Sequence, residues 1–362
     1  MTRRTKNLLK NLWFNLGISI AAGNLFVVYR FFGTMDYYDP GIIITPVHLA
    51  ISFIQGTGAG FVNGIAITFI DRLVDTEAFK KRSFRYTLIF KSAAYCVSII
   101  FCVALIFILD YLLDEKTSSG SQMDPAVGTA LTLQYLVAVF IYMMFLNVSI
   151  NFLKEANKKF GPGILFKLFS GKYYQPVVEE RIFMFIDLKA STTIAERLGH
   201  LKYSRLIQDC FYEITDIVDK FKAEIYQYVG DEIVLSWEMD TGIENNNCFC
   251  LYFAFRKKLE ENRGYYQQKY DLLPEFKAGM NCGTVTVCEV GEIKKDIAYH
   301  GDVLNTASRI QGLCNIYNKE VLISESLNKA MPKERSFIRE LIGEISLKGK
   351  ETVVGVYSLE SV

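Results

Sequence analysis

Apolar residues recur along the chain in two different rhythms. Up to about residue 155 they form four long, nearly uninterrupted runs, at roughly 12–32, 47–70, 88–109 and 127–150. Each is close to the roughly 20 residues that a helix needs to cross a bilayer. Four spans are therefore predicted. Beyond about residue 180 the runs are short, alternate with polar segments and are punctuated by glycine, as in a globular unit of strands and amphipathic helices.

Within that second unit the run Ile182, Phe183, Met184, Phe185, Ile186 is continuous rather than alternating, which predicts a strand buried on both faces. It ends on Asp187. Ser191, Thr192 and Thr193 follow, with hydroxyls suited to capping a helix that continues through Ile194, Leu198, Tyr203, Ile207 and Phe211. Gly230-Asp231, between AEIYQYV and EIVLSW, reads as a tight hairpin that brings in a second carboxylate. The predicted order is a strand (181–188), a helix (191–222), the hairpin, a helix (about 244–269), strands (275–300), a helix (302–317), a strand (320–324) and a last strand pair around ISLKGK and VVGVYSLE. Strand, helix, hairpin, helix and strand make an α+β, ferredoxin-like core with its helices on one face.

Charge orients the first unit. Arg3, Arg4, Lys6, Lys10, Arg72, Lys80, Lys81, Arg82, Arg85, Lys154, Lys158 and Lys159 fall on the side that holds both ends of the four-span unit. The opposite loops carry Asp36, Asp39, Asp114, Glu115 and Asp124, with Lys116 as their only basic residue. The positive-inside rule then predicts a multi-pass protein of the cell (inner or plasma) membrane, with both termini and everything after residue 150 cytoplasmic. The basic start and Ala21-Ala22-Gly23 also fit a cleaved signal peptide, whose removal leaves the orientation of the rest unchanged. Gly56, Gly60 and Gly64 place a small-residue groove on one face of the second span. Lys91 and Arg30 lie near span ends, where snorkelling is expected, and no acid falls mid-span, which disfavours an ion pathway. The unit is expected to anchor, dimerise or sense.

The predicted division is a four-span transmembrane domain (1–153), a basic and aromatic connector or transducer element (154–179) and a globular domain (180–362). A hydrophobic fraction of 51% and a mean hydropathy of +0.18 agree with a membrane-embedded part. The net charge of +1 leaves no argument for a nucleic-acid partner. Eight cysteines lack zinc or thioredoxin spacing and read as reduced, small buried residues.

Two acids at the ends of neighbouring strands suit a divalent metal. In Gly301-Asp302-Val303-Leu304-Asn305-Thr306-Ala307-Ser308-Arg309, Asp302 is placed to cap a helix whose buried stripe is Leu304, Ala307 and Leu313. Asn305 and Arg309, four apart, share a face. An amide and a guanidinium so placed can orient a polar ring and neutralise a transferring phosphoryl group.

FMFIDLKAST, QYVGDE and YHGDVLNTASR resemble, in order and approximate spacing, the motifs of class III nucleotidyl cyclases, over roughly residues 178–360. The resemblance implies closure of a nucleoside triphosphate to its 3′,5′-cyclic monophosphate with loss of pyrophosphate. It implies that Asp187 and Asp231, with the carbonyl of Leu188, bind two Mg²⁺ or Mn²⁺ ions, one acting on the ribose 3′-hydroxyl and the other on the triphosphate. Asn305 matches the residue that orients the ribose, Arg309 the one that stabilises the transition state, and Lys348, or else Lys350, the one that grips the terminal phosphates. In this family the metal pair and the Asn and Arg come from different chains. All of them in one chain imply a homodimer with two composite sites.

Base reading departs from the family pattern. Adenylate-forming members usually carry Lys, and Asp, Thr or Ser, at the positions of Gln227 and Ala298; guanylate-forming members carry Glu and Cys. Gln can address either purine edge and Ala reads nothing. ATP is the expected substrate because adenylate-forming members are the commoner bacterial type, with GTP as the nearest rival. The readings from other classes are a nucleotide-binding membrane receptor or scaffold without turnover, which the intact Asp187, Asp231, Asn305 and Arg309 oppose, and a transporter, which the spans disfavour.

Overall fold

The computed structural model describes residues 3–34, 46–74, 84–117, 125–160, 167–168, 170–332, 335–346 and 353–362. The chain divides into two compact units, Met1–Lys159 and Phe160–Val362.

The first unit contains four helices, α1 (Arg3–Thr34), α2 (Pro46–Val74), α3 (Phe84–Thr117) and α4 (Pro125–Phe160). Among the described residues, Asn11–Tyr29 and Ser52–Val74 are long and apolar enough to cross a membrane. The expected spans at 88–109 and 127–150 fall partly on side chains outside the described set. The glycine groove of α2 is occupied by α1: a Cβ at Gly56 would meet Gly23 and Val27, one at Gly60 the backbone of Ser19 and Ile20, and one at Gly64 that of Leu16. Side-chain contact is replaced there by backbone approach.

Polar groups tie the four helices together. Asn15 donates to Thr68 at 3.0 Å, and Asn63 to Ser19 at 3.3 Å and Asn147 at 3.4 Å. Contrary to the snorkelling expectation, Lys91 is buried. Its ammonium lies 2.9 Å from Glu155 and 3.2 Å from Asp71, whose other oxygen is 2.9 Å from Lys154. Acids from two neighbouring helices satisfy the lysine inside the unit, so it has no need to reach for water.

The second unit runs β1 (Val177–Leu188), α5 (Ser191–Lys220), β2 (Glu224–Val229), β3 (Glu232–Glu238), α6 (Met239–Ile243), a 3₁₀ turn, α7 (Asn247–Glu261), α8 (Arg263–Tyr270), β4 (Phe276–Val290), β5 (Asp296–His300), α9 (Asp302–Ile316), β6 (Val321–Ser324), α10 (Glu325–Ala330), β7 (Phe337–Ser346) and β8 (Val353–Ser361). The strands form one sheet in the order β2-β3-β1-β4-β6-β8-β7, with β5 paired to β4. Only β4 and β6 pair in parallel among the described strands. β1 is central and buried on both faces, as its apolar run predicts: Ile182, Met184, Ile186 and Leu188 join the core under α5 and α7, while Phe183 and Phe185 join a second core with Val303 and Ala307. Each such side chain contributes about 1.5–3 kcal/mol by leaving water. Helix α9 therefore covers the face opposite α5 and α7, which corrects the expectation of helices on one face.

Three local expectations also change. Helix α5 starts at Ser191 after a left-handed Ala190 with no side-chain cap, and α9 starts after Gly301, also uncapped by a side chain, with Asp302 in its first turn. An acid there still complements the helix dipole. The buried stripe of α9 is Val303, Ala307, Ile310 and Cys314, with Leu304 and Leu313 half-buried at its margins. The long helix expected at 244–269 is broken at Asn262 into α7 and α8.

The start of β1 is anchored by charge. Arg181, fully buried, reaches Glu179 at 2.8 Å and Glu224 at 2.9 Å and lies 5.0 Å from the Tyr299 ring centroid. Lys167 and Tyr173, which precede β1 in the chain, reach the same two acids at 2.7 and 3.0 Å. Burial acts to raise the Glu179 carboxyl, but hydrogen bonds from Lys172 and Arg181 hold it down to about 2.

Candidate active site

Strand register puts the acids together. Asp187, near the end of β1, is opposite Glu232 on β3, so Asp231, one residue earlier in the turn, is its neighbour. Gly230 takes a left-handed φ of 63° to make that turn, a conformation glycine adopts without strain. Burial, then repulsion from Asp231, raises the pKa of Asp187 despite the opposing charge of Lys277. Burial, then the Asp187 and Asp231 charges, push Glu232 up to about 7. Tyr203 is pushed up to about 12 by burial and then by the charge of the nearby Asp231 carboxylate. Negative charge is thus concentrated in a partly dry place.

Asp231 Oδ2 is buried and has no hydrogen-bond partner. A buried carboxylate oxygen left in this state is costly, and a cation is the partner that would satisfy it. Among the described residues no three His, Cys, Asp or Glu side chains converge as a ligand cage. Two carboxylates and a backbone carbonyl instead fit the sparse protein ligation of Mg²⁺, which takes much of its shell from phosphate and water.

Asn305 is exposed on α9 and Arg309 half-buried, with its Nη1 buried and unpartnered. Gln227 is exposed on β2, just past a register shift at Ile225/Gln227, and Ala298 lies on β5 opposite Cys288. Their chain neighbours Tyr226 and Tyr299 meet edge to face at 4.9 Å, so the two strands approach each other there. Lys348 and Lys350 lie outside the described residues.

Residues 174–361 match the family model for the adenylate and guanylate cyclase catalytic domain. The chain belongs to the class III nucleotidyl cyclases. Over 222 residues this cyclase is 33% identical to adenylate cyclase 2 of Rhizobium meliloti (strain 1021), covering 61% of this chain and 61% of that protein. Over 187 residues it is 28% identical to an adenylate cyclase of Anabaena cylindrica, covering 49% of this chain and 36% of that one. The chain thus spans about three-fifths of the first relative's length and about a third of the second's. Its fold is similar to that of a bacterial light-regulated adenylyl cyclase, with a TM-score of 0.52 at 19% identity over 60% of this chain and 64% of the other.

The spacing of motifs pointed to Asp187, Asp231, Asn305 and Arg309 but not to Glu232, Tyr203, Lys277 or Gln311, which surround the two acids. Gln311 had a signal: it is polar, four residues after Ala307, on the buried side of α9.

Proposed function

We propose that the chain is a membrane-bound adenylate cyclase that closes ATP to 3′,5′-cyclic AMP and pyrophosphate at two composite sites of a homodimer, for intracellular signalling. The observation that carries this reading is the pair of buried, unpartnered polar atoms, Asp231 Oδ2 and Arg309 Nη1, at two of the positions the chemistry requires. Asp187, Asp231 and the Leu188 carbonyl would hold divalent metal, Mg²⁺ or Mn²⁺. Such ions supply a lowered pKa for the ribose 3′-hydroxyl and charge to hold the triphosphate. Asn305 orients the ribose by hydrogen bonding. Arg309 offers a planar, permanently charged fork to the α-phosphate as negative charge builds there. Lys348 is assigned to the terminal phosphates, and Gln227 with Ala298 to the base.

Helix geometry supports the dimer. At about 100° per residue on an α-helix, Arg309, two residues from Gln311, points about 160° away from it and Asn305, six residues away, about 120°, so while Gln311 is turned toward Asp187, Arg309 and Asn305 are turned away from it. A second chain would bring its own Asn305 and Arg309 to this metal pair. The apolar stretches of α1 and α2 support the membrane location. The same reading puts the N-terminus and the catalytic domain in the cytoplasm, on the charge pattern of the sequence, and takes a four-span domain at 1–153, a connector at 154–179 and the catalytic domain at 180–362.

The test is product formation by the purified full-length protein with Mn²⁺ and either ATP or GTP, separated by chromatography. Cyclic AMP from ATP is the expected result. Cyclic GMP alone would reassign the base. Product from neither, in a folded dimer that binds nucleotide, would overturn turnover in favour of a nucleotide-binding receptor.

A further inference from the structure

The Asp187 carboxylate has two partners outside the family motifs. Gln311 Nε2 donates to its Oδ2 at 3.0 Å, and the Lys277 ammonium lies 3.3 Å from the same oxygen. Both side chains are buried, 6% and 7% exposed. The fold determines both positions. Lys277 pairs directly with Asp187 in the β1/β4 register. Gln311 sits where α9 crosses β4 over Gly279, so closely that a Cβ on that glycine would collide with the Gln311 backbone.

These partners differ in what they do to a cation. The ammonium offsets the repulsion among Asp187, Asp231 and Glu232, but its charge opposes a divalent ion on the same carboxylate. The amide is neutral, so it can fix the carboxylate without opposing the ion. A ligating carboxylate held by an outer hydrogen bond binds metal better because its orientation is already set.

We propose that Gln311 is a positioning residue for the metal-binding carboxylate: it holds Asp187 Oδ2 from helix α9, while Lys277 serves as counter-charge that a cation displaces. The inference rests on the reading of Asp187 and Asp231 as a metal pair.

The test is Mn²⁺ binding by full-length protein in detergent, followed by electron paramagnetic resonance of the free ion, with 3′-deoxy-ATP present so that no turnover occurs. Gln311→Met keeps the volume and removes the donor. Its Mn²⁺ affinity should fall by about 10–100-fold, the usual cost of losing an outer partner of a metal ligand, with unfolding in EDTA little changed. In turnover the loss should appear as a raised Mn²⁺ requirement, with kcat recovered at saturating metal. Lys277→Met should bind Mn²⁺ at least as tightly as the unaltered protein. Equal affinity in Gln311→Met and the unaltered protein would overturn the role of Gln311, and a loss in Lys277→Met as large as that in Gln311→Met would overturn the division of labour. If the unaltered protein itself binds no Mn²⁺, the metal-pair reading fails, and with it the inference.

Discussion

Asp187 on β1 and Glu232 on β3 stand directly opposite each other across the sheet, and that pairing delivers Asp231 to the same edge. Two acids from distant parts of the sequence therefore meet through strand register alone. Asp187→Ala and Asp231→Ala should each lower turnover by about 100-fold or more, since a ligand matters at least as much as the outer partners whose loss costs 10–100-fold. Sedimentation and circular dichroism should show a folded dimer in both. Activity retained in either variant would sink the two-metal assignment.

Sites shared between chains make a different prediction. Neither Asp187→Ala nor Arg309→Ala should turn over alone, but an equal mixture should recover about a quarter of the unaltered activity, because half the dimers are mixed and each has one intact site. The assay is product formation after co-expression with distinct tags, so that mixed dimers can be counted. Mixed dimers without activity would argue against composite sites.

In the helical unit Asp71 accepts from Lys91, Lys154 and Tyr95, at 3.2, 2.9 and 2.8 Å. Asp71→Ala leaves two ammonium groups sharing fewer acids in a buried place, and breaking a buried pair from one side costs about 3–5 kcal/mol. Thermal unfolding of the detergent-solubilised protein should show the loss. Adding Lys154→Met should restore part of it, because a charge without its partner is removed as well. No difference between the single and the double variant would mean that the two residues are not coupled.

Glu179 predicts the acid limb of stability. Its carboxyl sits at about 2 in the folded chain, below its ordinary 4.5. A group lowered on folding stabilises the fold above its unfolded value and loses that contribution as pH falls through the folded one. Glu179→Gln should therefore be less stable than the unaltered protein near neutrality, with the gap closing between about pH 4.5 and pH 2. Thermal melts across that range measure it. A gap independent of pH would show that packing, not charge, was lost.

Legibility in the sequence followed the range of each interaction. The buried run before Asp187 and the Gly230-Asp231 turn are local signals, and β1 and the β2–β3 hairpin formed where they indicated. Helix α10 carries a local signal that was passed over, Ser324 accepting from the Leu327 amide as a cap. Other features lie beyond any one-dimensional pattern. Lys91 reads as a span-end cation until Asp71 and Glu155 arrive from other helices. The side on which α9 packs depends on its crossing over β4 at Gly279. For the same reason the contact of Gln311 with Asp187 joins positions with no sequence relationship, although a long polar side chain on that helix's buried side could have flagged it.

Gly56, Gly60 and Gly64 of α2 are already committed to α1, with Gly23 of α1 facing Gly56. A bulky replacement such as Gly60→Leu should then misfold the helical unit, whatever the association state of the chain. Conversely, α2 expressed by itself would have its small-residue face bare, and would self-associate in a reporter assay for reasons unrelated to the assembly of the whole protein. Association measured on that isolated segment would be an echo of an intrachain contact.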